Sequence, residues 1–201
     1  MAENIHPVFS RMVSLEDRCR LLKQRPLCLW LCGLSGSGKS TIALHLEKRL
    51  NEMGYAAQVL DGDNIRSGIN ANLGFSQEDR LENNRRIAEI SKLYNQSGLI
   101  TINSFISPTD SIRDMSRKII GDVFYREIYI KASLETCEKR DVKGLYAKAR
   151  AGEIKGFTGI DSPFEEPSAP FLILDTETTS IDDCVNMLLK AILDDISYDK
   201  K

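Results

Sequence analysis

The chain has 201 residues, enough for one α/β domain or at most two small ones. Its 42% hydrophobic and 28% charged residues are ordinary for a globular protein, and a chain of this size buries about 70% of its unfolded surface without staples. Lys plus Arg is 27 against 29 for Asp plus Glu, a net charge of −2, which argues against a general nucleic-acid binder but leaves room for a local basic pocket.

The five cysteines, Cys19, Cys28, Cys32, Cys137 and Cys184, are odd in number and widely scattered, as expected of reduced thiols in the cytoplasm. The two histidines are isolated, so no zinc cluster is visible. Residues 1–26 are polar and lack a signal-peptide core, and no run of 18 apolar residues predicts a membrane span.

Apolar runs alternate with helical patterns, which predicts a parallel sheet covered by helices. Leu27 to Cys32 reads as a buried first strand. Thr41 to Met53 has helical spacing, with Ile42, Leu46 and Leu50 on one face. Ala56 to Leu60 reads as the second strand and runs into Asp61. Gln77 to Gln96 is the longest predicted helix, capped by Ser76 with Asp79 as box partner and stopped before Gly98. Leu99 to Phe105 is the third strand. Pro108 is expected to open the next helix with Ser107 at its cap. Glu127 to Lys131 is the fourth strand, and Ser133 caps the helix after it. Lys143 to Pro170 is rich in Lys, Gly and Pro and poor in strand signal, which suits a functional lid. Phe171 to Leu174 is the fifth strand and Ile181 to Leu193 a closing helix.

Gly33-Leu34-Ser35-Gly36-Ser37-Gly38-Lys39-Ser40 matches G-x-x-x-x-G-K-[ST], between a strand and a helix as the phosphate-binding loop requires. Glycines let the backbone form an anion nest, and the helix start directs free N–H groups at phosphates. Lys39 is expected to reach the β- and γ-phosphates of ATP and Ser40 to ligate Mg²⁺. No Asn-Lys-x-Asp signature points to a GTPase, and the third strand ends in Ser104 rather than a Walker B aspartate. The acids available are Asp61 and Asp63, just past the second strand, where open α/β sheets bind ligands. Asp63 is the expected base or partner of a magnesium-bound water, with Asp61 in support.

Arg66 follows in the same segment, and Arg80, Asn83 and Arg86 share a helix face. Guanidinium forks match phosphate or sulfate oxygens. Phe75 and Phe157 lie outside any periodic pattern and suit stacking on a purine, although each alone also reads as a loop anchor.

Taken together, these segments resemble the adenylylsulfate kinase (APS kinase) family. The match runs from about Ser14 to Asp183. Beyond the phosphate loop and Thr41, it is carried by Asp61-Gly62-Asp63-Asn64-Ile65-Arg66, Asn72-Leu73-Gly74-Phe75-Ser76 with Asp79-Arg80, and Phe105-Ile106-Ser107-Pro108. Arg140-Asp141, Lys143-Gly144-Leu145-Tyr146 and Lys148 to Asp161 complete it. The resemblance implies a three-layer P-loop fold of the nucleoside-monophosphate-kinase type with five parallel strands. It also implies an N-terminal arm over 1–25, a single kinase domain over 26–201 and a lid over about 143–165. The implied reaction moves the ATP γ-phosphate to the 3′-hydroxyl of adenosine 5′-phosphosulfate (APS). By the same match, Arg66, Arg80 and Asn83 hold the phosphosulfate side, and Phe75 and Phe157 sandwich the adenine. Ile106, Ser107, Lys143, Gly144, Leu145 and Thr158 line the site, and Arg140 lies near the ATP base. A homodimer is implied too, and the length predicts a stand-alone kinase without a fused sulfurylase domain.

Two roles stay open for Ser107. The family's corresponding serine is labelled a phosphoserine intermediate, yet a serine nucleophile needs an adjacent base and no His lies near. Substrate contact or helix capping is the other role. The sequence departs from the family pattern at Thr109-Asp110, Lys131, Asn84 and His6-Pro7-Val8-Phe9. The alternatives to this reading are another small-acceptor P-loop kinase or a non-catalytic ATP-binding regulator.

Overall fold

The structure is a computed structural model that describes residues 11–198 together with His6 and Val8. In chain order it comprises α1 (Leu15–Leu22), β1 (Cys28–Cys32), α2 (Lys39–Glu52), β2 (Ala57–Asp61), α3 (Gly62–Arg66), α4 (Gln77–Gln96) and β3 (Ile100–Ser104). There follow α5 (Asp110–Ile120), β4 (Tyr125–Lys131), α6 (Leu134–Arg140), α7 (Leu145–Arg150), β5 (Leu172–Asp175) and α8 (Ile181–Ile196). All five predicted strands form, and α4 has the predicted bounds.

The five strands make one parallel sheet in the order β2-β3-β1-β4-β5. Side chains alternate across it. Leu29 and Leu31 of β1, Ile128 and Ile130 of β4 and Leu174 of β5 pack with Ile42, Leu46 and Leu50 of α2 and Leu188 and Ile192 of α8. Cys28 and Trp30 point to the other face, against Ile87 and Ala88 of α4 and Ile120 of α5. Both faces of β1 are therefore covered, which is why its sequence is continuously apolar rather than alternating. A third cluster joins Leu34 and Cys137 to Tyr146, Ala149 and Phe157, and seats the 143–165 segment on the body. The expected arm contains a helix, α1, capped by Ser14, which accepts from Asp17 N. Pro7 and Phe9 lie outside the described residues.

The expected start of α5 needs correction. Thr109, not Ser107, caps it by accepting from Ile112 N, and Pro108 precedes the helix instead of opening it. Ser107 is left-handed, with φ 45°, whereas the side-chain N-caps of this fold, Ser14, Ser76, Thr109, Ser133 and Ser180 among them, are extended. Two short helices also escape the apolar pattern. Helix α3 is nucleated by Asp61 accepting from Asp63 N, and α7 by Asp141 accepting from Tyr146 N and Ala147 N. Each is too short to show periodicity.

One buried side chain ties the lower end of the sheet together. Gln24 is fully buried; its amide donates to the Ala56 and Gly98 carbonyls, both at 2.9 Å, and its oxygen accepts from Ala56 N at 2.6 Å. Gln24→Ala strands these backbone groups, so we expect a loss of about 2–3 kcal/mol. Urea unfolding checks this: the midpoint falls and the slope stays unchanged.

Candidate active site

The carboxyl ends of β1, β2 and β3 open into one cleft of about 1000 Å³. The phosphate loop leaves β1 through Gly33, at φ 145°, and is held by side chains from distant elements. Tyr146 OH donates to Ser35 O at 2.9 Å, Arg140 to Gly36 O at 3.3 Å, and Thr176 Oγ1 to Ser37 O at 2.9 Å. Lys39, 8% exposed, donates to Leu34 O across the loop at 2.6 Å. Burial pulls its ammonium down to about 8.

The acids meet the loop across the sheet. In register, Asp61 stands beside Ser104 and Ser104 beside Leu31. Ser40 Oγ donates to Asp61 Oδ2 at 2.7 Å and lies 3.2 Å from Ser104 Oγ. The other Asp61 oxygen accepts from Asp63 N at 3.1 Å, so Asp61 both anchors the loop serine and presents Asp63. The Asp63 carboxylate pairs with Lys143, which reaches over from the segment after α6. The Ser40 hydroxyl and these carboxylates are hard oxygen donors of the kind Mg²⁺ takes. Among the described residues no cluster of three or more His, Cys, Asp or Glu side chains forms.

Opposite the loop the wall is cationic. Arg66 donates to Gly74 O at 2.8 Å and its guanidinium lies 4.4 Å from the centre of the Phe75 ring. Burial and then the like charge of Arg80 hold Arg66 below its usual range. Arg80 donates to Phe75 O at 2.9 Å, to Gly156 O and to Thr158 Oγ1, so it clasps the 143–165 segment. Two partly desolvated guanidiniums that sense each other make a site that favours an anion. Asn83 accepts from Asn70 Nδ2 at 2.9 Å, which fixes its amide in the buried wall. Phe75 is 67% exposed, whereas Phe157 is buried edge-on to Tyr146 with ring centres 5.0 Å apart.

Ser107 lies at the cleft floor, 1% exposed, with both hydrogen-bonding capacities used. It accepts from Trp30 Nε1 at 3.0 Å and donates to Asn84 Oδ1 at 2.8 Å. Neither partner is a base.

The cleft thus gathers Ser35, Gly36, Gly38, Lys39, Ser40, Thr41, Asp61, Asp63, Arg66, Phe75, Arg80 and Asn83 among the expected site residues. Ile106, Ser107, Arg140, Lys143, Leu145, Phe157 and Thr158 line it as well. Gly33, Leu34, Ser37 and Gly144 are not among the lining residues. Ser37 is fully buried within the loop, and Leu34 packs into the cluster with Tyr146, Ala149 and Phe157 of the 143–165 segment. Sequence reasoning singled out neither Asn84, Tyr146 nor Thr176 as site residues. Tyr146 lay inside a matched segment, but only the fold reveals that its hydroxyl braces the loop. Thr176 carried no signal at all, following β5 far from every motif.

This fold and loop define a P-loop kinase. A family model for adenylylsulphate kinase matches residues 25–175. An adenylyl-sulfate kinase of Phocaeicola vulgatus is 60% identical over 191 residues, covering 95% of this chain and 94% of that one. One of Bacteroides fragilis is 56% identical over 194 residues, covering 96% of each. An APS kinase of Mycobacterium tuberculosis, CysC, solved in complex with AMPPNP and APS, superposes with a TM-score of 0.82 at 45% identity, covering 84% of this chain and 98% of that one. The chain belongs to the adenylylsulphate kinase family.

Lys39 generates a prediction about pH. Its folded pKa of about 8 lies below the unfolded value near 10.5, so the charged form carries a folding penalty that is complete below pH 8. Between about pH 8 and 10.5 the unfolded chain binds the extra proton, and stability rises with pH. The buried thiols of Cys28 and Cys32, pushed up to about 12, work in the opposite sense above pH 9. The difference between wild type and Lys39→Met isolates the lysine. Denaturant unfolding should find Lys39→Met more stable at pH 7.5, with the advantage shrinking by pH 10.

Proposed function

We propose that the protein transfers the γ-phosphate of ATP to the ribose 3′-hydroxyl of adenosine 5′-phosphosulfate, giving 3′-phosphoadenosine 5′-phosphosulfate and ADP. One observation carries the reading. A phosphate-binding loop and a pair of desolvated arginines face each other across a single cleft, with Asp61 and Asp63 lining it as well.

In this reading the loop amides and Lys39 hold the β- and γ-phosphates. Ser40 would ligate Mg²⁺, with Asp61 and Asp63 acting through water, and the ion when bound would neutralise phosphate charge. Arg140, anchored on Thr176 at 2.7 Å, flanks the ATP base. Arg66, Arg80 and Asn83 bind the phosphosulfate, and Phe75 and Phe157 take the adenine between them. Asp63 accepts the proton of the attacking hydroxyl, and Lys143 pairs with its carboxylate. The occupied hydroxyl of Ser107 supports a positioning role on the acceptor turn rather than a phosphoserine carrier. Residues 143–165 act as the lid over a kinase domain that spans 26–201, with 1–25 as an N-terminal arm. The five buried free cysteines fit a cytoplasmic setting, and no helix of the described residues is long and apolar enough to cross a membrane. A homodimer is the expected assembly, to be read by light scattering.

An ADP-release assay with ATP, Mg²⁺ and APS, against AMP and gluconate controls, tests the reaction, with product identity checked by mass. Turnover should require the phosphosulfate. Asp63→Ala is expected to lower kcat by about 10²–10⁴-fold, as loss of a general base does. Arg80→Ala should raise KM for APS at least tenfold by removing charge-assisted bonds, each worth about 1.5–3 kcal/mol. Folded, ATP-binding protein without turnover would instead support a regulatory role. Incubation with γ-labelled ATP in the absence of acceptor should leave no phosphate on Ser107.

A further inference from the structure

Arg113 lies one turn into α5 and is buried to 1% exposure, yet no catalytic motif contains it. Its guanidinium spans residues far apart in sequence. One terminal nitrogen donates to the Ser107 carbonyl at 2.7 Å. The other donates to the Glu165 carbonyl at 2.8 Å and pairs with the Asp110 carboxylate. Nε faces Glu127 Oε1 on β4 at 3.5 Å and makes no hydrogen bond among the described residues.

Glu165 is tied to the same turn twice more. Its N–H donates to Pro108 O at 2.8 Å, and its carboxylate accepts from Asp110 N at 2.7 Å. Residue 107 is the turn that lines the cleft floor, held in the left-handed region at φ 45°, where a side chain persists only when its surroundings over-determine it. Residue 165 is the trailing end of the segment whose Gly156 and Thr158 clasp Arg80. Two diverging carbonyls require a planar fork with separate donors; an ammonium reaches one and loses the other.

We propose that Arg113 is a positioning residue for the phosphoryl transfer: by holding the Ser107 and Glu165 carbonyls on one guanidinium, it locks the acceptor turn and the trailing end of the lid into a single unit. The inference rests on the assignment of Ile106–Ser107 and Phe157–Thr158 to the acceptor. Arg113 touches no reacting group. It acts on the acceptor half of the cleft and leaves the phosphate loop alone.

Steady-state kinetics on the full chain tests this, with each substrate varied in turn. Arg113→Lys keeps the charge and loses the fork. Its KM for APS should rise about tenfold while KM for ATP stays within about twofold, the split expected when only acceptor positioning is lost. Glu165 is exposed, so Glu165→Ala probes the same unit without opening the core. It should raise KM for APS about threefold, and the double variant should be no more than about twofold worse than Arg113→Lys alone, since coupled residues are not additive. Equal rises in both KM values, or a double-variant effect equal to the product of the two single effects, would overturn the proposal. Should Arg113→Lys fail to fold, Glu165→Ala alone still decides by the same split between the two KM values. Arg80→Ala runs alongside: if its KM for APS is unchanged, the acceptor assignment falls and takes this inference with it. If it responds and the cycle does not, only the role of Arg113 falls.

Discussion

The architecture depends on a close approach between two strands. A Cβ on Gly33 would stand 2.4 Å from the Ile130 carbonyl and 3.0 Å from Ser37 Oγ. The chain can leave β1 in the direction it takes only because residue 33 has no side chain. That exit lets the loop curl back over β4 and sets α2 running from Lys39 against the sheet. It also drops Ser40 beside Asp61 and Ser104 at the ends of the two neighbouring strands. An alanine there meets backbone atoms of a central strand, which cannot yield without disturbing the β1–β4 pairing.

Everything functional then sits on two walls of different character. The loop wall is rigid, stitched to α7, α6 and the end of β5 by Tyr146, Arg140 and Thr176. The opposite wall hangs on α3, the start of α4 and the segment after α6, and its connections are made by arginines to main-chain oxygens. Those guanidiniums are already desolvated, so their charge acts in a medium of lower dielectric than water, where an anion is attracted strongly. Arg80 is the side chain that clasps Gly156 and Thr158. Under the proposed function the same side chain would also meet the phosphosulfate.

The sheet was legible because buried parallel strands write themselves as short apolar runs, and α4 because twenty residues give several turns of pattern and a serine cap. The phosphate loop and the acids after β2 were legible because their spacing is imposed by phosphate geometry. Helices α3 and α7 were not, since five or six residues whose first N–H groups are met by the Asp61 or Asp141 carboxylate carry no period. The misplaced start of α5 has the same kind of cause. Ser-Pro resembles a cap followed by a first turn, but the left-handed turn at Ser107 is held by Trp30 and Asn84, both distant in sequence, and by Arg113 in the following helix. Arg113 and Thr176 likewise have meaning only after folding. The contacts that give them their role are to the Ser107, Glu165 and Ser37 carbonyls, which leave no residue-type signature.

All five cysteines are free and buried, and burial pushes every one of their thiols above its usual range. Thiolate is the reactive form, so the folded protein presents almost no nucleophilic sulfur to an alkylating dye. Val142, 87% exposed just before the Lys143 that meets Asp63, stands at the start of the 143–165 segment. A cysteine placed there would be the single labelling point on an otherwise silent background. The native chain is in effect a ready-made cysteine-light scaffold, on which a fluorophore could report on the 143–165 segment in real time with every natural residue but one retained.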